Sequence, residues 1–217
     1  MNDVTKMLKK DLKKILPMVA RNTKNNYDPL CKWVYLNFNR GEIVATGFNR
    51  WALAVIKAPY LQGMYQENCI IYREDAVELL KMPRIQINDI IKNKLDERYP
   101  QYDALIGKRE YSFTFNKQEF LEKLLKITQN HRDGKETFEI IADSSNITIT
   151  GVGGTQTIKY ERLHLPLNSK TFKFYNKIIL TALKMVEDKE VDFVFNETRI
   201  IEMVSDSLKF TTVTIEQ

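Results

Sequence analysis

The sequence predicts an α+β fold built from a repeated β-α-β-β-β unit, and three observations predict it. In residues 171–215, Phe172 and Phe174 alternate with polar neighbours as a strand does. Ile179, Leu180, Leu183 and Val186 then recur at helical spacing, and β-rich runs follow at 190–195, 198–204 and 208–215. The same unit appears just upstream. Phe113-Thr-Phe115-Asn116-Lys117 matches Phe172-Lys-Phe174-Tyr175-Asn176-Lys177 with one residue inserted, a helix carrying Phe120, Leu121, Leu124 and Leu125 follows, and β-rich runs come at 136–142, 146–150 and 155–162. The third observation is that the chain before residue 108 repeats the pattern in part, as helix, three strands, strand, helix. An internal repeat fixes architecture ahead of any single residue. Two such units in tandem make a two-layer domain, sheet on one side and two helices on the other.

Taken in order, Val4, Leu8, Leu12, Ile15 and Val19 step by three or four, which predicts a helix over 3–20 that Pro17 bends or ends early. Residues 33–39 and 42–48 around Arg40-Gly41 read as a hairpin, and 51–57 as a third strand. Cys69 to Tyr72 is a short strand leading into a helix, Arg73 to Met82, that Pro83 stops. Residues 84–87 read as a strand. No strand precedes the first helix, so the first sheet is expected to be smaller. The predicted domains are 1–107, shortened, and 108–217, with breaks in the repeat near 60–67, 107–109 and 165–170.

At 217 residues with 43% hydrophobic side chains, two modest cores are available. Cys31 and Cys69 lie in apolar β-rich runs without metal-ligand spacing and read as reduced core residues of a cytosolic protein. The apolar runs are far shorter than a bilayer span and no secretion signal is seen, so the expectation is a soluble, cytoplasmic protein without membrane contact. The net charge of +5 is concentrated: Lys6, Lys9, Lys10, Lys13, Lys14, Arg21 and Lys24 stand against Asp3 and Asp11 in the first 24 residues. The remainder carries 26 charges of each sign. One cationic helix points to a polyanion partner, although for an isolated helix a solvated lysine face is the plainer reading.

Enzyme chemistry is missing. His131 falls in a polar turn, read as a surface loop, and His164 in an apolar connection, read as packed; neither has triad or ligand partners at useful spacing. Gly151-Val-Gly153-Gly154 lies between two strands and opens no helix, so it reads as a hairpin turn and not as a phosphate cradle. The acidic residues form no general-acid pair or metal cluster. The expectation is a non-enzyme without cofactor or metal.

Four stretches resemble, in order, the bacterial DNA polymerase III β subunit, the sliding-clamp family. Glu42-Ile-Val-Ala-Thr-Gly-Phe48-Asn49-Arg50-Trp51-Ala52-Leu53-Ala54 is similar to the family's leucine-x-alanine-valine-alanine-threonine-aspartate-glycine-histidine-arginine-leucine-alanine strand pair. Cys69 through Leu79-Leu80-Lys resembles its second-domain strand and helix. Leu95-Asp-Glu-Arg-Tyr99-Pro100-Gln-Tyr102 is similar to its interdomain segment, and Phe174 to the C-terminus follows its third-domain helix and closing strands.

The resemblance covers nearly the whole chain and matches the family's second and third domains. It implies a DNA clamp fold with sheets outside and helices on one face, encircling duplex DNA without sequence preference and tethering a polymerase. DNA-facing residues would be Lys6, Lys9, Lys10, Lys13, Lys14, Arg21, Lys24, Arg73, Lys117, Lys123, Lys126, Lys177 and Lys184; with the fold supplied, the DNA-facing reading of the first helix moves ahead. Polymerase and clamp-loader peptides would bind a pocket lined by Leu30, Trp51, Leu53, Pro100, Leu105, Val213 and Ile215. Trp51 reads best as the anchor, while for Leu53 and Val213 core packing and pocket lining stand level.

Three departures matter. The family's threonine-aspartate-glycine-histidine-arginine is here Phe48-Asn49-Arg50-Trp51-Ala52, which loses the pocket arginine. Its methionine-proline-methionine-arginine-leucine end is replaced by Val213-Thr-Ile215-Glu-Gln217. No counterpart of the family's first domain is found, so a six-domain ring would take three copies, a homotrimer of the kind phages or mobile elements would carry. The alternative is a clamp-derived module, outside any ring, that captures or blocks clamp-binding peptides.

Overall fold

The structure is a computed structural model, and it describes residues 2–19, 29–39, 42–49, 52–59, 67–92, 94–95, 110–128, 136–164, 169–196 and 200–214. The chain divides into two compact units, Met1–Tyr102 and Asp103–Gln217.

The first unit begins with α1 (Asn2–Ile15), continued by a 3-10 turn at Leu16–Met18. The helix ends earlier than residue 20 because Pro17 has no N–H to donate into it. Then come β1 (Trp33–Asn39), β2 (Glu42–Phe48), β3 (Ala52–Pro59), β4 (Glu67–Tyr72), α2 (Arg73–Lys81) and α3 (Ile87–Ile91). The strands form an antiparallel sheet in the order β4-β1-β2-β3. Register puts Val34, Leu36 and Phe38 beside Gly47, Ala45 and Ile43 and beside Ile71 and Cys69, so one face is apolar throughout, and all of these residues are buried.

Helix α1 lies on β2 and β3, and α2 on β4 and β1. Gly47 makes the close seat of α1 possible: a Cβ there would stand 2.8 Å from Ile15 Cγ1 and 2.9 Å from Val19 Cγ2. On the opposite face Val44, Leu53 and Val55 form a separate buried cluster with Phe48 against it.

Residues 84–87 are not a strand. Two alternating isoleucines were too short a pattern, and a capping box overrides it: the Gln86 N–H donates to Asp89 Oδ2 at 2.9 Å, while the Gln86 side chain accepts from the Asp89 backbone. The α3 that follows gives five α-helices among the described residues, not four. Ile85 and Ile90 are buried, and α3 packs on β4. Among the described residues the first unit therefore has one sheet, and a short helix follows α2 where the repeat would put three strands.

The second unit holds β5 (Tyr111–Asn116), α4 (Lys117–Thr128), β6 (Thr137–Ala142), β7 (Ile147–Gly151), β8 (Gly154–Ile158), β9 (Arg162–His164), β10 (Lys170–Tyr175), α5 (Asn176–Met185), β11 (Glu190–Phe195), β12 (Ile200–Val204) and β13 (Leu208–Val213). The run expected at 155–162 is thus two strands. Both copies of the repeat are complete, and they exchange their first strands. β10 from the second copy pairs with β6 in β10-β6-β7-β8, whereas β5 from the first pairs with β11 in β13-β12-β11-β5-β9. So the tandem makes two sheets and not the single layer expected.

The exchange builds the core. Phe172 and Phe174 on β10 meet Phe193 and Phe195 on β11, with centroids 4.7 Å apart and edge-on for Phe172 and Phe195, and Phe113 stacks on Phe193 at 4.7 Å. Burying each such ring contributes up to about 3 kcal/mol, so neither copy of the repeat is stable without the other's first strand. Helix α4 starts where Asn116 Oδ1 accepts the N–H groups of Gln118 and Glu119 at 3.0 and 3.2 Å. The glycine cluster is the β7–β8 hairpin, as expected. Gly153 serves a further purpose there, since its N–H donates to Ile127 O at 2.9 Å at the end of α4. His164 is not packed: it is exposed on the three-residue β9, its ring 6.3 Å from that of Tyr111.

Candidate nucleic-acid interface

What each helix presents follows from which of its faces the sheet takes. On α1 the buried residues are Leu8, Asp11, Leu12 and Ile15, so Lys10 and Lys13 are exposed on the far side, with Lys9 and Lys14 on the flanks. On α5 burial of Ile179, Ala182 and Leu183 leaves Lys177 and Lys184 exposed, two turns apart, with Thr181 between them. The other two helices differ. The outer stripe of α2 is Glu74, Glu78 and Lys81, the last two joined as an ion pair. That of α4 is Gln118, Glu122, Leu125 and Lys126, where Leu125 is 42% exposed.

Formal charges are +3 on α1, −1 on α2, +1 on α4 and +2 on α5, which together equal the net charge of the chain, +5. Outside these helices the charges balance. Part of the pattern serves the helices themselves, because Lys13, Lys14, Lys81, Lys126 and Lys184 sit in last turns, where the helix dipole favours a cation.

These units were compared with known proteins. The Bacillus subtilis DNA polymerase sliding clamp superposes with a TM-score of 0.79 at 18% identity, over 98% of this chain and 63% of that one. A Pseudomonas aeruginosa sliding clamp gives 0.77 at 10% identity, over 98% of this chain and 65% of that one. The Helicobacter pylori beta clamp bound to a DNA ligase peptide gives 0.75 at 15%, over 97% and 64%. The chain has the sliding-clamp fold. It spans less than two thirds of the length of each of these clamps. No protein-family profile matches the sequence, and no curated protein does.

Within this clamp fold, the lysines expected to face DNA divide into two sets. Lys9 donates through Nζ to the carbonyl of Met82, the residue after α2, and Lys117 donates to Val186 O, the residue after α5, at 3.0 Å. Each ties one helix of its unit to the end of the other, a device repeated in both units and missed in the sequence. Lys123 is held by Glu119 and by Thr157 O. Lys10, Lys13, Lys126, Lys177 and Lys184 form the exposed set. Arg73 is half-buried at the start of α2, its Nε without a hydrogen-bond partner. Lys6 lies in α1, while Arg21 and Lys24 fall outside the described residues.

For the peptide pocket, Leu53 is buried against Val44 and Val55. Leu30 lies in a 3-10 turn at Pro29–Lys32 and Val213 ends β13. Trp51, Pro100, Leu105 and Ile215 fall outside the described residues. Cys31 and Cys69 are free thiols, both buried. Among the described residues no cluster of His, Cys, Asp and Glu is placed to hold a metal, and no helix is long and apolar enough to cross a membrane.

Proposed function

We propose that this chain is a DNA sliding clamp, a non-enzymatic processivity factor that encircles duplex DNA and tethers a replicative polymerase. The observation that carries this reading is the charge distribution. The net positive charge resides on the four repeat helices, and α1 and α5 turn Lys10, Lys13, Lys177 and Lys184 away from the sheets they pack on. Mobile lysines attract phosphates without reading bases, which suits a protein that must slide. The likeness in fold to solved sliding clamps supports it.

On this reading Leu30, Trp51, Leu53, Pro100, Leu105, Val213 and Ile215 receive polymerase and clamp-loader peptides. The Helicobacter pylori clamp bound to a DNA ligase peptide supports peptide capture as the mode of partnering. Six domain-sized units in a ring take three copies of the two described here, acting in the cytoplasm. The test is retention on nicked circular against linear duplex, with sedimentation of the same sample. A trimer that stays longer on the circle is expected, and a monomer that leaves both DNA forms alike overturns the reading.

One observation favours a second reading. Among the described residues the first unit has a single sheet, hence fewer free strand edges than the second unit. A clamp-derived module that captures or blocks clamp-binding peptides outside any ring needs no such edges. Equal retention on both DNA forms together with saturable binding of a clamp-binding peptide is its signature.

A further inference from the structure

Free strand edges offer unpaired N–H and C=O groups to other chains, and folded proteins guard them with charge, brevity or cover. Among the strands described, three edge strands carry such guards. β9 has three residues, β10 bears Lys170 and Lys173, and on β4 the Ile70 carbonyl already accepts the Leu95 N–H at 2.7 Å. β8, the last strand of β10-β6-β7-β8, has none of its own: Gly154-Thr155-Gln156-Thr157-Ile158 is uncharged, five residues long and mostly exposed.

Its guard comes from elsewhere. Lys123, on the α4 that packs along β7 and β8, donates through Nζ to Thr157 O, and Gln156 Nε2 donates to Thr155 O at 3.0 Å. Carbonyls two residues apart point to the same side of a strand, so these two acceptors belong to one edge and both are taken by side chains.

We infer that the β8 edge is where a second copy of this chain adds a strand, and that Lys123 is the latch that holds this edge closed in a single copy. The choice of a second copy as occupant rests on the clamp reading, which needs copies to join. The lack of charge on β8 agrees with it, since a neutral edge neither repels a copy of itself nor selects a charged peptide. For strand addition the Lys123 ammonium must leave Thr157 O so that an incoming N–H takes its place; Glu119, already bonded to Lys123, is where the ammonium stays.

The experiment is sedimentation velocity over a concentration series with the full chain, Lys123→Ala, and Lys123→Ala combined with Thr155→Lys, each checked for native circular dichroism and melting. Removing one charge-assisted hydrogen bond that competes with the strand is expected to tighten self-association about tenfold. The added lysine on β8 should return association to the wild-type level or below it. Unchanged association in a folded Lys123→Ala protein overturns the latch, and tightening that survives Thr155→Lys overturns the assignment to β8. Loss of preference for circular DNA in the wild type, with the sedimentation result intact, would sink the clamp reading and leave the edge standing.

Discussion

Replacing Lys10, Lys13, Lys177 and Lys184 together by alanine separates lysines that face solvent from those spent inside the fold. All four are exposed, two on each of the helices whose outer faces are basic. A lysine that neutralises one phosphate contributes about 0.9 to the slope of log affinity against log salt, so the four set an upper bound of roughly 3.6. Between 50 and 200 mM salt a slope of that size is worth about a hundredfold in affinity. The assay is fluorescence anisotropy of a labelled duplex over that salt range for the wild type, the fourfold variant, and Lys9→Met with Lys117→Met as a control pair. The control lysines carry the same formal charge but bond to Met82 O and Val186 O. The fourfold variant should flatten the salt dependence and the control pair should leave the slope in place. If the two variants flatten it equally, general charge governs binding, and the division into outward and inward lysines is refuted.

Three further outcomes test the fold that positions those helices. Gly153→Ala would put a Cβ 2.8 Å from the Ile127 carbonyl oxygen, a backbone atom that cannot swing away; a loss of about 1–3 kcal/mol is expected, read as a lower urea midpoint at unchanged slope, and an unmoved midpoint contradicts the close seat of α4. Phe193→Ala removes the ring that stacks on Phe113 and meets Phe174 edge-on; it should cost about 3–5 kcal/mol, and a loss under 1 kcal/mol would mean that the two sheets do not share this core. The backbone N–H groups of Ser145 and Asn146 hold the exposed Asp143 carboxyl below the usual aspartate range. With the folded value depressed, its contribution is complete above the ordinary aspartate pKa and fades as pH falls through the folded one. The stability gap between wild type and Asp143→Ala should therefore close on acidification, and a gap independent of pH refutes the assignment.

Periodicity carried most of the fold because the repeat is long and each element has a clean period. Phe113-x-Phe115 and Phe172-x-Phe174 alternate, and the helices that follow step by three and four. What alternation does not encode is the partner. Nothing in Phe172-Lys-Phe174 says that β10 joins the other copy's sheet, since its pairing with β6 is a long-range choice made by the phenylalanine core. Local side-chain chemistry explains the missed helix α3, where two isoleucines were outweighed by the Gln86–Asp89 hydrogen bonds. It also explains His164, whose apolar neighbours in sequence suggested burial while a three-residue edge strand leaves it exposed.

The lysines were legible as a class and illegible one by one. Spacing separates Lys10 and Lys13 from the apolar stripe of α1, and Lys177 and Lys184 from that of α5, because each such pair shares one side of a single helix. It does not separate Lys117 or Lys123, whose partners Val186 and Thr157 are 69 and 34 residues away in sequence. A lysine at the start of α4 that reaches the end of α5 has the same sequence signature as one that points to solvent. The difference is set by where the second helix of the unit ends. Charge read from sequence therefore overstates the outward field of this chain: of the three lysines on α4, two are bonded to other residues of the unit, and the helix presents Glu122 and Leu125 beside Lys126. The basic character a polyanion would meet is carried by α1 in one unit and α5 in the other, so any model in which all four helices contribute equally predicts a salt slope steeper than these side chains can supply.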